Sequence, residues 1–169
     1  MDIIVNNKLT NDTYEKLKNL ENLFFEFGEI TYFSKKDIDH GQKGFRCNFY
    51  DDTINDEWAG DEYVIIGYDT TRGIGPDPII IKVDEESLPI YYLHTDGGDW
   101  KNPIKIADTF DNYIKIMNCI SKFSKDLEYS TLNILDYYSL IEDISNINSK
   151  KNIDYWEELL NNSILKSNL

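Results

Sequence analysis

Between Tyr63 and Met117 the apolar positions fall into three short runs, each bounded by Gly, Pro or Asp, and then change to a helical period. The runs are Tyr63 to Tyr68, Pro78 to Val83 and Leu88 to His94, rich in Val, Ile and Tyr as strands are. Their connections are too short for a parallel crossover, which predicts consecutive antiparallel strands. Asp108 can cap the helix that follows. Phe110, Tyr113, Ile114, Met117 and Ile120 share one of its faces and give the sheet an apolar cover.

The flanks read as helical. Asp12-Thr13-Tyr14-Glu15 has the form of a capping box with an acidic cap, and Tyr14, Leu17, Leu20, Phe24 and Phe27 follow at helical spacing before Gly28 offers a stop. Ile30 to Phe33 and Phe45 to Tyr50 predict short strands around the turn-rich Ser34 to Gly44, with a pairing that pattern does not fix. Ser130 can cap a helix to about Ile144 that turns Leu132, Leu135, Tyr138 and Ile141 inward. Asp154 with Glu157 opens a last helix holding Trp156, Leu159 and Leu160. The expectation is an α+β fold, an antiparallel β-meander flanked by N-terminal and C-terminal helices, with residues 1–169 as one domain. At 169 residues and 41% hydrophobic, such a chain can bury roughly two thirds of its unfolded surface.

The central segment resembles the SMI1/KNR4 superfamily, also called SUKH. Four pieces carry the resemblance, in the family's order: Ile66-Gly67-Tyr68-Asp69, Asp77-Pro78-Ile79, Leu88-Pro89-Ile90-Tyr91, and Ile106-Ala107-Asp108-Thr109-Phe110. A looser likeness reaches Ile153 to Leu160. The family's Leu-Pro-x-x-Tyr/Leu helix and Asn-Gly-Gly turn are missing upstream of Tyr63, and the one Gly-Gly pair, Gly97-Gly98, lies after the third strand. The resemblance implies an SMI1/KNR4-like fold and the role of a bacterial immunity protein, which binds and neutralises a cognate polymorphic toxin, commonly a nuclease. The regulatory or scaffold role of other members is the alternative it offers.

Charge narrows the partner. Seventeen basic residues against thirty-one acidic ones leave −14, which repels a phosphate backbone and disfavours direct nucleic-acid binding. From Asp51 to Asp69 the chain carries Asp51, Asp52, Asp56, Glu57, Asp61, Glu62 and Asp69 with no Lys or Arg, and Asp84-Glu85-Glu86 comes soon after. This stretch is either a solubilising loop or a surface for a basic protein such as a toxin. Trp58 sits within it as a candidate interface anchor, and Arg72, on the Gly73-Ile74-Gly75-Pro76 turn, is a candidate contact. Cys47 and Cys119 read as small buried hydrophobes in a reducing cytoplasm. Met1-Asp2-Ile3-Ile4 lacks a basic n-region and no run of eighteen apolar residues occurs, so neither export nor membrane insertion is expected.

Catalytic chemistry has little to stand on. Gly73 to Pro76 lacks the Lys-Ser/Thr of a phosphate loop and leads into a strand. His94 and His40 are the only histidines; Asp96 and Asp99 crowd one turn beside His94, and no Ca²⁺-loop pattern is present. No catalytic, cofactor-binding or metal-ligating residue is therefore expected, and no cofactor. A small enzyme with a pocket near His94 is the remote alternative.

Overall fold

Six strands lie side by side in the order in which the chain makes them: β1 Leu23–Phe25, β2 Gly28–Tyr32, β3 Tyr63–Asp69, β4 Asp77–Lys82, β5 Ile90–Tyr92 and β6 Ile104–Ala107. Every pairing is antiparallel. The computed structural model describes residues 8–25, 28–51, 53–71, 75–95, 100–129, 134–148 and 150–161. Among the described residues four α-helices complete the α+β fold: α1 Asn11–Lys18, α2 Phe110–Tyr129, α3 Ile134–Ile147 and α4 Ile153–Leu160. No helix among the described residues is long and apolar enough to cross a membrane.

The central strands are apolar on both faces because both faces are covered. Val64, Ile66, Ile79, Ile81 and Ile90 join the large core built with α1, α2 and α4. Ile65, Ile80 and Leu93 point the other way, into a smaller cluster with Trp58. Its cover is the thirty-residue insertion between β2 and β3, residues 33–62. There the fully buried Gln42 acts as a substitute strand. Its side-chain amide donates to the Ile65 carbonyl at 2.9 Å and the Ile38 carbonyl at 2.8 Å, and its oxygen accepts the Ile65 N–H at 3.0 Å. Ile65 lies just beyond the reach of β2, whose register with β3 ends at Tyr32 opposite Gly67. At Gly67 the two strands come so close that a Cβ would stand 2.1 Å from the Thr31 carbonyl oxygen.

Several expectations change. The first helix is capped by Thr10, whose hydroxyl accepts the Thr13 N–H at 3.1 Å, and it ends at Lys18. Leu23 to Phe25 form β1 instead, with Phe24 exposed. The aromatic run satisfies its backbone in a tight hairpin with β2, and that pairing outweighs the helical spacing. Phe27 lies outside the described residues. Phe45 to Tyr50 is not a strand; only isolated bridges join Lys43 to Cys47 and Cys47 to Ile54. Ile106 and Ala107 end β6, and the Thr109 hydroxyl, not Asp108, accepts the Asn112 N–H at 3.0 Å to open α2.

In α3 the buried stripe is Tyr137, Leu140 and Ile144, whereas Leu135 and Tyr138 are exposed. That helix carries two apolar stripes, and packing chose the one facing α2 and α4. Ser130 and Leu132 lie outside the described residues. The last helix buries Trp156, Leu159 and Leu160 as expected, but it opens at Ile153 after Asn152 with no side-chain cap, and Asp154 lies inside its first turn. The Trp156 indole donates to the Ile106 carbonyl at 2.9 Å, and the Asn148 amide donates to the same oxygen at 2.7 Å.

Candidate functional site

The insertion that covers the second face also carries the acidic stretch, and its outer side is a set of short turns. The Asn48 N–H donates to the Thr53 carbonyl at 2.9 Å, and the Asn48 amide to the Thr53 hydroxyl at 2.7 Å. Asp51 closes the tip by accepting the Thr53 N–H at 3.1 Å and its hydroxyl at 2.8 Å, the short-range bonding for which Asp is favoured in turns. The Asn55 N–H donates to the Arg46 carbonyl at 2.9 Å. Beneath the loop, the buried Arg46 guanidinium reaches the exposed Asp61 carboxylate at 2.6 Å. The Lys8 ammonium donates to the Asp61 carbonyl at 2.5 Å.

The stretch that carries no base of its own thus meets two bases from elsewhere. Asp61 is tied to Arg46 and Lys8, and Asp51 is used in its turn, while Asp56 and Glu57 stand exposed. Asp52 and Arg72 lie outside the described residues, as do Gly73, Ile74, Asp96 and Gly97 to Asp99. Trp58 corrects an expectation: it is only 6% exposed, its ring turned into the cluster with Ile65, Ile80 and Leu93. In its place the exposed apolar groups of the loop are Tyr50, fully exposed, Phe49 at 58% and Ile54 at 45%. Pattern reasoning assigned Phe49 and Tyr50 to a strand; the Asn-x-x-Asp-x-Thr spacing from Asn48 to Thr53 was the turn signal available.

Two acidic segments far apart in sequence meet at one end of the sheet. Tyr63 pairs with Lys82, and the Val83 N–H donates to the Glu62 carbonyl at 2.9 Å, which sets Glu62 beside the Asp84-Glu85-Glu86 turn. The Tyr63 phenol registers the crowding: its pKa is raised, first by burial, with Glu62, Asp84 and Glu85 adding to the rise against the opposing Lys82. Lys82 itself bridges to Glu85 at 2.7 Å and Asp84 at 3.6 Å. Residues 51–99 hold thirteen acids against two bases, eleven of the fourteen net negative charges.

His94 finds a different partner from the carboxylates next to it in sequence. Its Nδ1 lies 3.4 Å from the buried Asp77 carboxylate and 3.3 Å from the Tyr92 hydroxyl. Asp77 also accepts the hydroxyls of Tyr92 and Thr95 and the Thr95 N–H. Asp69, opposite Asp77 in the strand register, is held in the same way by Thr71 and by the Tyr155 hydroxyl at 3.0 Å. This arrangement pins the ends of β3, β4 and β5 to α4, a structural task for paired polar groups. Among the described residues no group of three or more His, Cys, Asp or Glu is placed to hold a metal ion. Compared with known proteins, the chain matches no family model, no curated protein and no solved structure.

The Asp51 turn has a pH signature. The Thr53 hydroxyl, and then its N–H, hold the Asp51 carboxyl below the ordinary aspartate range. A depressed folded pKa contributes stability that is present above the unfolded value, about 3.9, and is lost as pH falls through the folded one. In a carboxyl-detected NMR titration the Asp51 midpoint is expected below that of an unstructured aspartate, and Thr53→Ala, which removes the hydroxyl and keeps the N–H, should move it part of the way back towards the ordinary value. An unmoved midpoint in that variant would remove the turn's bonding as the cause.

Proposed function

We propose that the chain acts by stoichiometric binding, as an immunity protein of the SMI1/KNR4 (SUKH) type that neutralises a basic, nuclease-like toxin in the cytoplasm. The observation that carries this reading is that the acidic 51–62 stretch ends at Glu62 directly beside the Asp84–Glu86 turn. A nuclease that attracts phosphate presents a positive cleft, and an acidic protein uses the same field to reach and cover it. The family resemblance of the four central motifs supports the reading independently of charge.

Exposed carboxylates act chiefly on the encounter rate. Asp56→Lys with Glu57→Lys is expected to slow association with a neutralised toxin domain about tenfold at low ionic strength. The difference should shrink as salt shortens the Debye length below about 10 Å. Co-expression of the chain with candidate toxin domains, scored by survival, tests the function, and stopped-flow association across a salt series tests the field. A rate that is the same in both proteins at every salt concentration would assign the carboxylates to solubility alone.

A further inference from the structure

Among the described residues seven large hydrophobic side chains are exposed, and three of them, Phe49, Tyr50 and Ile54, fall within six residues at the tip of the acidic loop. Single exposed apolar residues need no explanation, but three on one turn do. The turn is built before any partner arrives. Asn48, Asp51 and Thr53 close it with four hydrogen bonds, Cys47 bridges to Ile54, and the Phe49 ring lies against Gly44, where it would crowd any Cβ and where φ is 88°. A turn whose backbone is fixed in this way presents Tyr50 with little main-chain freedom left to lose on binding, which lowers the cost of using an aromatic as an anchor.

We propose that Tyr50, flanked by Phe49 and Ile54, is the apolar anchor of this surface and enters a pocket on a basic partner protein whose rim is lined by Lys or Arg. The proposal rests on the binding function above and names the side chains that would hold the complex once charge has formed it. The surroundings select the occupant. Asp51 lies in the same turn and the exposed Asp56 and Glu57 follow it along the chain, so phosphate backbones and anionic lipid surfaces are repelled. A second copy of the chain, itself at −14, would set acid against acid in a two-fold contact.

The experiment uses the full chain and a panel of catalytically inactivated basic nuclease domains immobilised for kinetic binding. For any domain that binds, Tyr50→Ala is expected to raise the dissociation rate about 30-fold while leaving the association rate unchanged, the size expected of a hot spot. Tyr138→Ala, an exposed aromatic on α3 away from the loop, is expected to change neither. Tyr50→Ala, Phe49→Ala and Tyr138→Ala leave buried residues alone, and circular dichroism controls for the fold. Binding in which Tyr50→Ala and Phe49→Ala both dissociate as the parent does overturns the anchor and leaves the binding function standing. Absence of binding by every domain overturns the function and the anchor together.

Discussion

Trp156→Ala is expected to lower the free energy of unfolding by about 4 kcal/mol, the range of large-to-small changes at fully buried aromatics. Trp156 has no exposed surface and packs against Tyr155 and Tyr113, with ring centroids 4.8 and 6.1 Å away. The cavity would open between α4, α2 and the sheet, where neighbouring rings cannot close it without leaving their own partners. A second variant separates packing from bonding. Trp156→Phe keeps much of the volume and removes the N–H to the Ile106 carbonyl, but that oxygen still accepts from Asn148. Its cost should therefore stay near 1 kcal/mol, the net value of one hydrogen bond. Urea unfolding of both proteins gives the comparison, and equal losses would mean that the indole N–H, not the ring volume, holds α4 in place.

Gln42→Leu should cost about 3 kcal/mol although it adds apolar surface in a buried position, because each buried peptide group left without a partner costs about 1–3 kcal/mol. Three would be left: the Ile65 N–H and carbonyl and the Ile38 carbonyl. The loss should be local before it is global, with the 33–62 insertion lifting from the second face. Trp58 reports on this directly, since it belongs to the insertion and its indole packs on Ile65, Ile80 and Leu93 of the sheet. A red-shifted Trp58 emission and faster amide exchange at Ile65, in a chain whose large core still melts cooperatively, are the expected signs. Native-like protection at Ile65 would show that water or another group replaces the glutamine.

The legible part of this fold was where local and tertiary preferences agree. Ile79, Ile80 and Ile81 read as a strand, although the cover over its second face did not, and Trp156 with Leu159 and Leu160 read as a buried helix face. Where two periods fit the same residues, tertiary pairing decided. Leu23 to Phe25 fit a helix face until β2 is there to receive them, and Leu135 and Tyr138 form as good a stripe as Tyr137 and Leu140. The acidic region was visible as composition, but its geometry was not. Charge counts do not say that Arg46 rises from below to hold Asp61, nor that Trp58 turns inward while Tyr50 turns out. Nor does any motif mark a glutamine as a stand-in for a strand.

Strand order that copies chain order has a kinetic meaning. Each hairpin of the sheet can close from its neighbour without waiting for a distant segment, and the seven-residue link from β4 to β5 is short. The exception is the thirty-residue passage from β2 to β3, whose closure costs about 1.3 kcal/mol more than that link by chain entropy alone. Joining the β1–β2 hairpin to the rest of the sheet therefore carries the largest closure cost in the meander, and Gln42 holds the closed loop on Ile65. The segment offered to a partner is then the part of the sheet layer whose ordering costs the most chain entropy.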